Sequence, residues 1–249
     1  MDFYTSLSYY YDLLFPPSQE QKSWALDFSG PGPVLDAGCG TGELLLHLTG
    51  KGIPGFGFDA DKEMIRRAKK KTVAAESNAD FRKAGLTDAS VLYQGRFFTA
   101  IFCMGNTIAH VHDLQELNTV IADFASLLSS GHKGRLAVQL LNYDRILRQK
   151  PQELPPLTAE EKDLKLRFLR RYRYEEEHIL FTGALKAESS KNPAKNLESS
   201  FETILLPIRR QAITRAFSEA GLRNVGIWED YGKTPAGEES AVFLVTGES

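Results

Sequence analysis

The chain is 249 residues long, with a formal net charge of −2, 42% apolar residues and 25% charged residues. This length holds one large domain or two small ones, and the composition is ordinary for a soluble globular protein. The near-balanced charge gives no electrostatic footing for nucleic acid or an anionic membrane, and the two cysteines, Cys39 and Cys103, suggest neither a zinc site nor a disulfide framework. The first residues lack the basic start and apolar core of a signal peptide, and no apolar run reaches membrane-spanning length. A reducing, cytoplasmic setting is expected.

Strand and helix signals alternate through the middle of the chain, the mark of a parallel sheet with helices on both faces. A first strand is predicted at about 33–37 and its helix at about 42–50, ended by Gly50 and Gly52. Ile53 to Phe58 reads as strand two, closing on Asp59. Asp61 is placed to cap a helix over 62–75, in which Met64, Ile65 and Ala68 recur at helical spacing. Phe81 lies in a short third strand. Phe98 to Met104 is a continuous apolar run, as expected of a strand buried on both faces. A helix over 113–130 carries Leu114, Leu117, Ile121, Phe124, Leu127 and Leu128 on one side, and Gly131 and Gly134 punctuate it. Arg135 to Leu141 is strand five.

The pattern then changes. Residues 164–174 alternate, with Leu164, Leu166, Phe168, Tyr172 and Tyr174 on one side and Lys165, Arg167, Arg171 and Arg173 on the other. The basic side reads as a solvated strand face rather than an anion site. Residues 178–185 and 200–206 also read as strands, with a polar loop from Lys186 to Ser200 between them. A helix over Arg209 to Ala220 and strands at 223–229 and 240–246 close the chain. The sum is an α/β fold: a seven-stranded, mostly parallel, doubly wound (Rossmann-like) sheet with a small antiparallel β insertion. One domain is expected over 1–249, with the insertion over 144–206 inside it and a covering segment over 1–30.

The chemistry is concentrated in Val34-Leu35-Asp36-Ala37-Gly38-Cys39-Gly40-Thr41-Gly42-Glu43. An apolar strand ends on an acid, passes through a glycine turn and opens a helix, so a ligand's polar end can approach the backbone at the strand's carboxyl edge. A dinucleotide site wants a third glycine where Glu43 stands, with the helix N-terminus free for pyrophosphate. The charges of Glu43 and Asp36 instead suit a ligand that carries positive charge and no phosphate. Asp59, 17 residues beyond Gly42, is placed to accept the hydroxyls of a ribose.

This string resembles the first motif of the class I S-adenosylmethionine (SAM)-dependent methyltransferases. The resemblance implies SAM as cofactor, S-adenosylhomocysteine as product, and a cofactor site over Asp36, Gly38, Cys39, Gly40, Gly42, Asp59, Ala60, Met64, Gly85, Leu86, Cys103 and Met104. Lys83-Ala84-Gly85-Leu86 lacks the polar side chain that such enzymes often set near adenine, so backbone groups, Leu86 and Met64 are expected to hold that ring. Cys103-Met104-Gly105-Asn106-Thr107-Ile108-Ala109-His110 and Asn142-Tyr143-Asp144 resemble segments of the glycine and sarcosine N-methyltransferase branch. Asn106, His110 and Tyr143 are the implied acceptor contacts. The N-terminal run of Tyr4, Tyr9, Tyr10 and Tyr11 before Asp12 is similar to segments that close over the cofactor, with Tyr11 as a contact. The segments that would signal a nucleic-acid base methylase are absent after strand four.

The branch carries an arginine two residues before the tyrosine of its last motif, as a clamp for the amino-acid carboxylate; here Leu141 stands there. Glycine and sarcosine are therefore expected to be poor acceptors, and the acceptor to be more apolar or anchored by another basic residue, Arg145 being the nearest; Arg145 or an insertion arginine in the missing position would overturn this. The expected activity is methyl transfer to a small molecule, nitrogen preferred over oxygen, with no nucleic acid, membrane or metal involved. A nucleotide-binding oxidoreductase and a non-catalytic SAM-binding protein are the competing readings.

Overall fold

The computed structural model describes residues 3–130, 133–191 and 196–249, with side chains from Leu7 onward. The side chain of Tyr4, the helix-ending Gly131 and part of the polar 186–200 segment lie outside the described residues. Two helices open the chain, α1 (Phe3–Leu14) and α2 (Gln19–Ser29). Strands and helices then alternate: β1 (Val34–Ala37), α3 (Glu43–Thr49), β2 (Gly55–Asp59), α4 (Lys62–Ala74), β3 (Asp80–Lys83), a one-turn α5 (Ala89–Leu92), β4 (Ala100–Cys103), α6 (Leu114–Ser126), β5 (Arg135–Leu141) and α7 (Tyr143–Gln149). Four strands follow, β6 (Glu153–Glu161), β7 (Leu164–Tyr174), β8 (Ile179–Ser189) and β9 (Leu197–Leu205). Helix α8 (Arg210–Glu219) and strands β10 (Arg223–Trp228) and β11 (Val242–Glu248) complete the fold.

Seven strands form one sheet in the order β10-β11-β5-β4-β1-β2-β3. All run parallel except β11, which is antiparallel to β5 and β10. The chain winds outward from β1 to β3, then returns to β1's other side as β4. This reversal opens a crevice at the carboxyl ends of β1 and β4, where ligands of doubly wound sheets bind. Residues of β1 and β4 are buried throughout, as their unbroken apolar runs require. Successive side chains serve opposite faces: Leu35 and Ile101 join one core cluster, Val34 and Phe102 the other.

Asp61 caps α4 as expected, its carboxylate accepting the backbone N–H groups of Glu63 and Met64 at 2.9 and 2.8 Å. Helix α6 stops at Ser126, short of the expected 130, because Leu127 and Leu128 turn into the core. The insertion is a four-stranded antiparallel sheet, β6-β7-β8-β9, not the three strands expected. Strand β6 contains Pro155 and Pro156, which break the sequence signal but are tolerated on an edge strand, at a register shift between Leu154 and Leu157. The expected loop from Lys186 to Ser200 is largely strand: β8 runs to Ser189 and β9 starts at Leu197, with Lys186 paired to Glu198 at 3.1 Å.

Helix α1 is wedged between α4 and the insertion sheet. Its Leu7 and Leu14 pack with Met64 of α4 and with Leu166, Phe168 and Leu185 of β7 and β8. No helix among the described residues is long and apolar enough to cross a membrane.

Candidate active site

A cavity of about 1000 Å³ opens at the carboxyl ends of β1, β2, β4 and β5, under α1 and the insertion sheet. Its first wall is the glycine turn after β1. Gly38 adopts φ +74°, and a Cβ there would lie 2.3 Å from Cγ2 of Thr107, so only glycine lets β1 and the segment after β4 meet. Gly42 serves packing: a Cβ would strike the Phe81 ring at 2.5 Å, and the residue does not line the cavity.

Asp36 ends β1 inside the cavity. It is 4% exposed, and no hydrogen bond reaches its carboxylate from any described residue. Burial, with a smaller push from Asp59, raises its pKa to about 7. Asp59, at the end of β2, is held differently. Its carboxylate accepts the N–H of Gly40 at 2.9 Å and of Asp61 at 2.8 Å. Burial still raises its pKa, against the lowering effect of those two bonds. The Tyr11 ring covers Gly40, 3.0 Å from where a Cβ would lie, and burial beside Asp59 and Asp36 keeps its hydroxyl protonated.

A polar clamp ties this roof to the motif. Asp12 of α1 accepts from the Thr41 hydroxyl and pairs with Lys71 of α4. Lys71 also donates to Thr41 at 3.0 Å and pairs with Glu43 at 2.8 Å. Glu43 shares Lys71 with Asp12, so part of its charge is offset, whereas Asp36 has no such partner among the described residues.

Ala60, Met64, Gly85, Leu86, Cys39 and Met104 all line the cavity. The N–H of Gly85 is taken by Asp88 at 2.7 Å, so it is not free for an adenine ring. Thr87, beside Leu86, brings a hydroxyl to the same wall, a polar group that the sequence reading passed over. Cys103, the last residue of β4, faces the core instead: it is fully buried, in the cluster that holds Ile101, Ile108 and Val138. The period of two in β4 decides this, since Phe102 and Met104 take the opposite face.

Asn106 and His110 line the cavity, and Tyr143 does not. Asn106 sits at φ +69°, and its Nδ2 donates to the Tyr143 hydroxyl at 2.9 Å while its Oδ1 accepts the N–H of Leu141 at 3.0 Å. Tyr143 is fully buried, so it acts as a strut behind Asn106. His110 is exposed on the cavity side, and partial desolvation of its ring lowers its pKa. Leu141 lines the cavity as an apolar group, and Arg145 turns away to Glu239, 3.6 Å distant. Arg170 of β7, which the sequence reading omitted, points into the cavity. The alternation of β7 would have found it, since position 170 shares a face with Phe168 and Tyr172.

The cavity fits SAM on its own terms. An unpaired buried carboxylate suits a cationic ligand, Asp59 keeps free lone pairs for hydroxyls, and Met64 and Leu86 offer apolar surface to a ring.

A family model described as a methyltransferase domain matches residues 34–131. Glycine N-methyltransferase of Mus musculus is 30% identical over 141 residues, 51% of this chain and 47% of that protein. The chain therefore spans about half the length of that relative. A SAM-dependent methyltransferase from Clostridium acetobutylicum ATCC 824 superposes with a TM-score of 0.78 over 98% of both chains at 14% identity. The sugar N-methyltransferase KedS8 from Streptoalloteichus sp. ATCC 53650 does so with a TM-score of 0.72 at 19% identity, over 96% of this chain and 90% of that one. Residues 34–131 thus match a methyltransferase domain, and the chain has the fold of the SAM-dependent methyltransferase it superposes on.

Proposed function

We propose that the enzyme methylates a small-molecule acceptor at nitrogen, and that glycine and sarcosine are poor acceptors. The observation that carries the reading is Asp36, a buried carboxylate without a hydrogen-bond partner among the described residues, facing a cavity with much apolar surface on its walls. The cofactor, when bound, supplies a sulfonium-activated methyl group that the acceptor's lone pair displaces.

The chain's own part is binding, orientation and desolvation. Asp36 and Asp59 hold the cationic and hydroxyl-bearing portions of the cofactor. Tyr11 and the insertion sheet exclude water. Asn106, locked by Tyr143 and Leu141, presents its amide to the acceptor side. An amine reacts through its lone pair and needs only a weak base to take the proton released afterward, a role open to neutral His110. A hydroxyl acceptor would need a stronger base. Partial desolvation weakens His110 as a base, and burial holds Tyr11 and Tyr172 protonated. Relatives and neighbours named for glycine and sugar N-methylation support the preference for nitrogen.

Leu141 supports the second half of the proposal, since a bare amino-acid carboxylate set against it would lose water and gain no donor. The test is a methyl-transfer screen with labelled SAM over small amines, phenols and carboxylates. Turnover confined to phenols would overturn the nitrogen assignment, and rapid glycine turnover would overturn the exclusion.

A further inference from the structure

We propose that Arg170 is the acceptor-binding residue of this cavity and that the acceptor is an amine bearing a single carboxylate on an apolar body. The inference rests on the methyl-transfer reading above and names the substrate class for it.

Six acidic side chains line the cavity: Asp12, Asp36, Glu43, Asp59, Asp61 and Glu116. Arg170 is the only arginine or lysine among the described residues that does. Its neighbours on β7 are neutralised outside: Arg171 pairs with Glu153 at 2.9 Å and Arg173 with Glu175 at 3.3 Å. No carboxylate among the described residues pairs with Arg170. Among the described residues its guanidinium makes one hydrogen bond, from Nη2 to the carbonyl of Pro155 at 2.7 Å. That carbonyl is presented by the irregular stretch of β6 between Leu154 and Leu157, so the sheet's bulge holds the guanidinium in place. Its Nε is buried without a partner.

A half-buried guanidinium with an unmet donor is unfavourable alone, and an anion brought to it relieves both charge and donor. A planar fork matches a carboxylate. Lys71 offsets part of the charge of Asp12 and Glu43, but a phosphate dianion would still meet Asp36 and Asp59 with one guanidinium beside it, so a monoanion fits better. The surroundings give the rest of the molecule. Leu154 is the cross-strand partner of Arg170, and Phe168, Tyr172 and Phe181 line the same wall. A molecule without apolar bulk, such as glycine, leaves that surface uncovered.

The test uses matched acceptors, phenylalanine with phenylalaninamide and 4-aminobenzoate with 4-aminobenzamide, on the wild type and on Arg170→Gln, Arg170→Lys and Arg171→Gln. Calorimetry with SAM alone comes first, and all four proteins are expected to bind it equally. The wild type is expected to prefer the carboxylate of at least one pair. Arg170→Gln is expected to raise KM for that carboxylate ~10–100-fold, with kcat and the amide's KM little changed. Arg170→Lys should recover part of the loss and Arg171→Gln should match the wild type. Independently of turnover, the carboxylate should raise the Tm of the protein loaded with S-adenosylhomocysteine, and Arg170→Gln should abolish that rise. If Arg170→Gln does not fold, Arg170→Lys carries the comparison. SAM binding with no preference for any carboxylate, or a preference that survives in Arg170→Gln, overturns the proposal. Failure to bind SAM would remove the methyl-transfer reading itself.

Discussion

The backbone N–H of Gly40 donates to the Asp59 carboxylate at 2.9 Å, a bond between residues 19 apart in the chain. It fixes the glycine turn after β1 against the end of β2, so one carboxylate shapes the turn and faces the ligand. Asp59→Ala is expected to weaken SAM binding by about 1–3 kcal/mol, the cost of leaving polar groups unpaired. Calorimetry is the measurement, and an unchanged Kd would move the hydroxyl contact elsewhere.

Asp36 is expected to make SAM binding dependent on pH. A cationic ligand favours the ionised carboxylate, so binding lowers a pKa that stands at about 7 in the free protein and releases a proton below that pH. Affinity should fall as pH drops below 7, approaching tenfold per pH unit. Titrations in buffers of different ionisation enthalpy would count the proton. For the stability of the free protein the sign is opposite. The folded pKa lies above the ordinary 3.8, so this group's contribution is largest below that value and is lost as pH rises through about 7. Asp36→Asn should therefore raise Tm at pH 8 while abolishing the pH slope of binding.

Gly38→Ala should destabilise the fold by about 1–3 kcal/mol. Its φ of +74° strains any side chain, and the new Cβ would lie 2.3 Å from Thr107. Chemical denaturation measures this, and a wild-type midpoint would show that the segment after β4 yields easily.

Lys71→Met separates closure from stability. Lys71 joins Asp12 of α1 to Thr41 and Glu43 of the motif, yet it is partly exposed, so its ion pairs add less than about 1 kcal/mol to stability. A raised KM for SAM with a nearly unchanged Tm is the expected outcome. This point variant is a cleaner probe than removing residues 1–15, because Leu7 and Leu14 are buried and their loss would strip cover from the insertion sheet.

Sequence alone fixed the parallel core. Unbroken apolar runs, a glycine turn and the capping Asp61 are local signals, Asp36 is legible from the same pattern, and the motif resemblance adds Gly40, Met104, Asn106 and His110. Local signals cannot say which side chain another element will meet. Cys103 and Tyr143 sit in motif segments but turn into the core, Gly42 yields its place to Phe81, and Glu43 is claimed by Lys71, 28 residues away. Strand β6 escaped notice because its two prolines suit only an edge, and whether a strand lies at an edge is settled by pairing. Arg170 shows the division most clearly. The alternation of β7 puts it beside Phe168 and Tyr172. Only the folded arrangement of the insertion sheet over the carboxyl ends of β1 and β4 makes that face the wall of a cavity, because burial and charge pairing depend on neighbours that the chain brings together from afar.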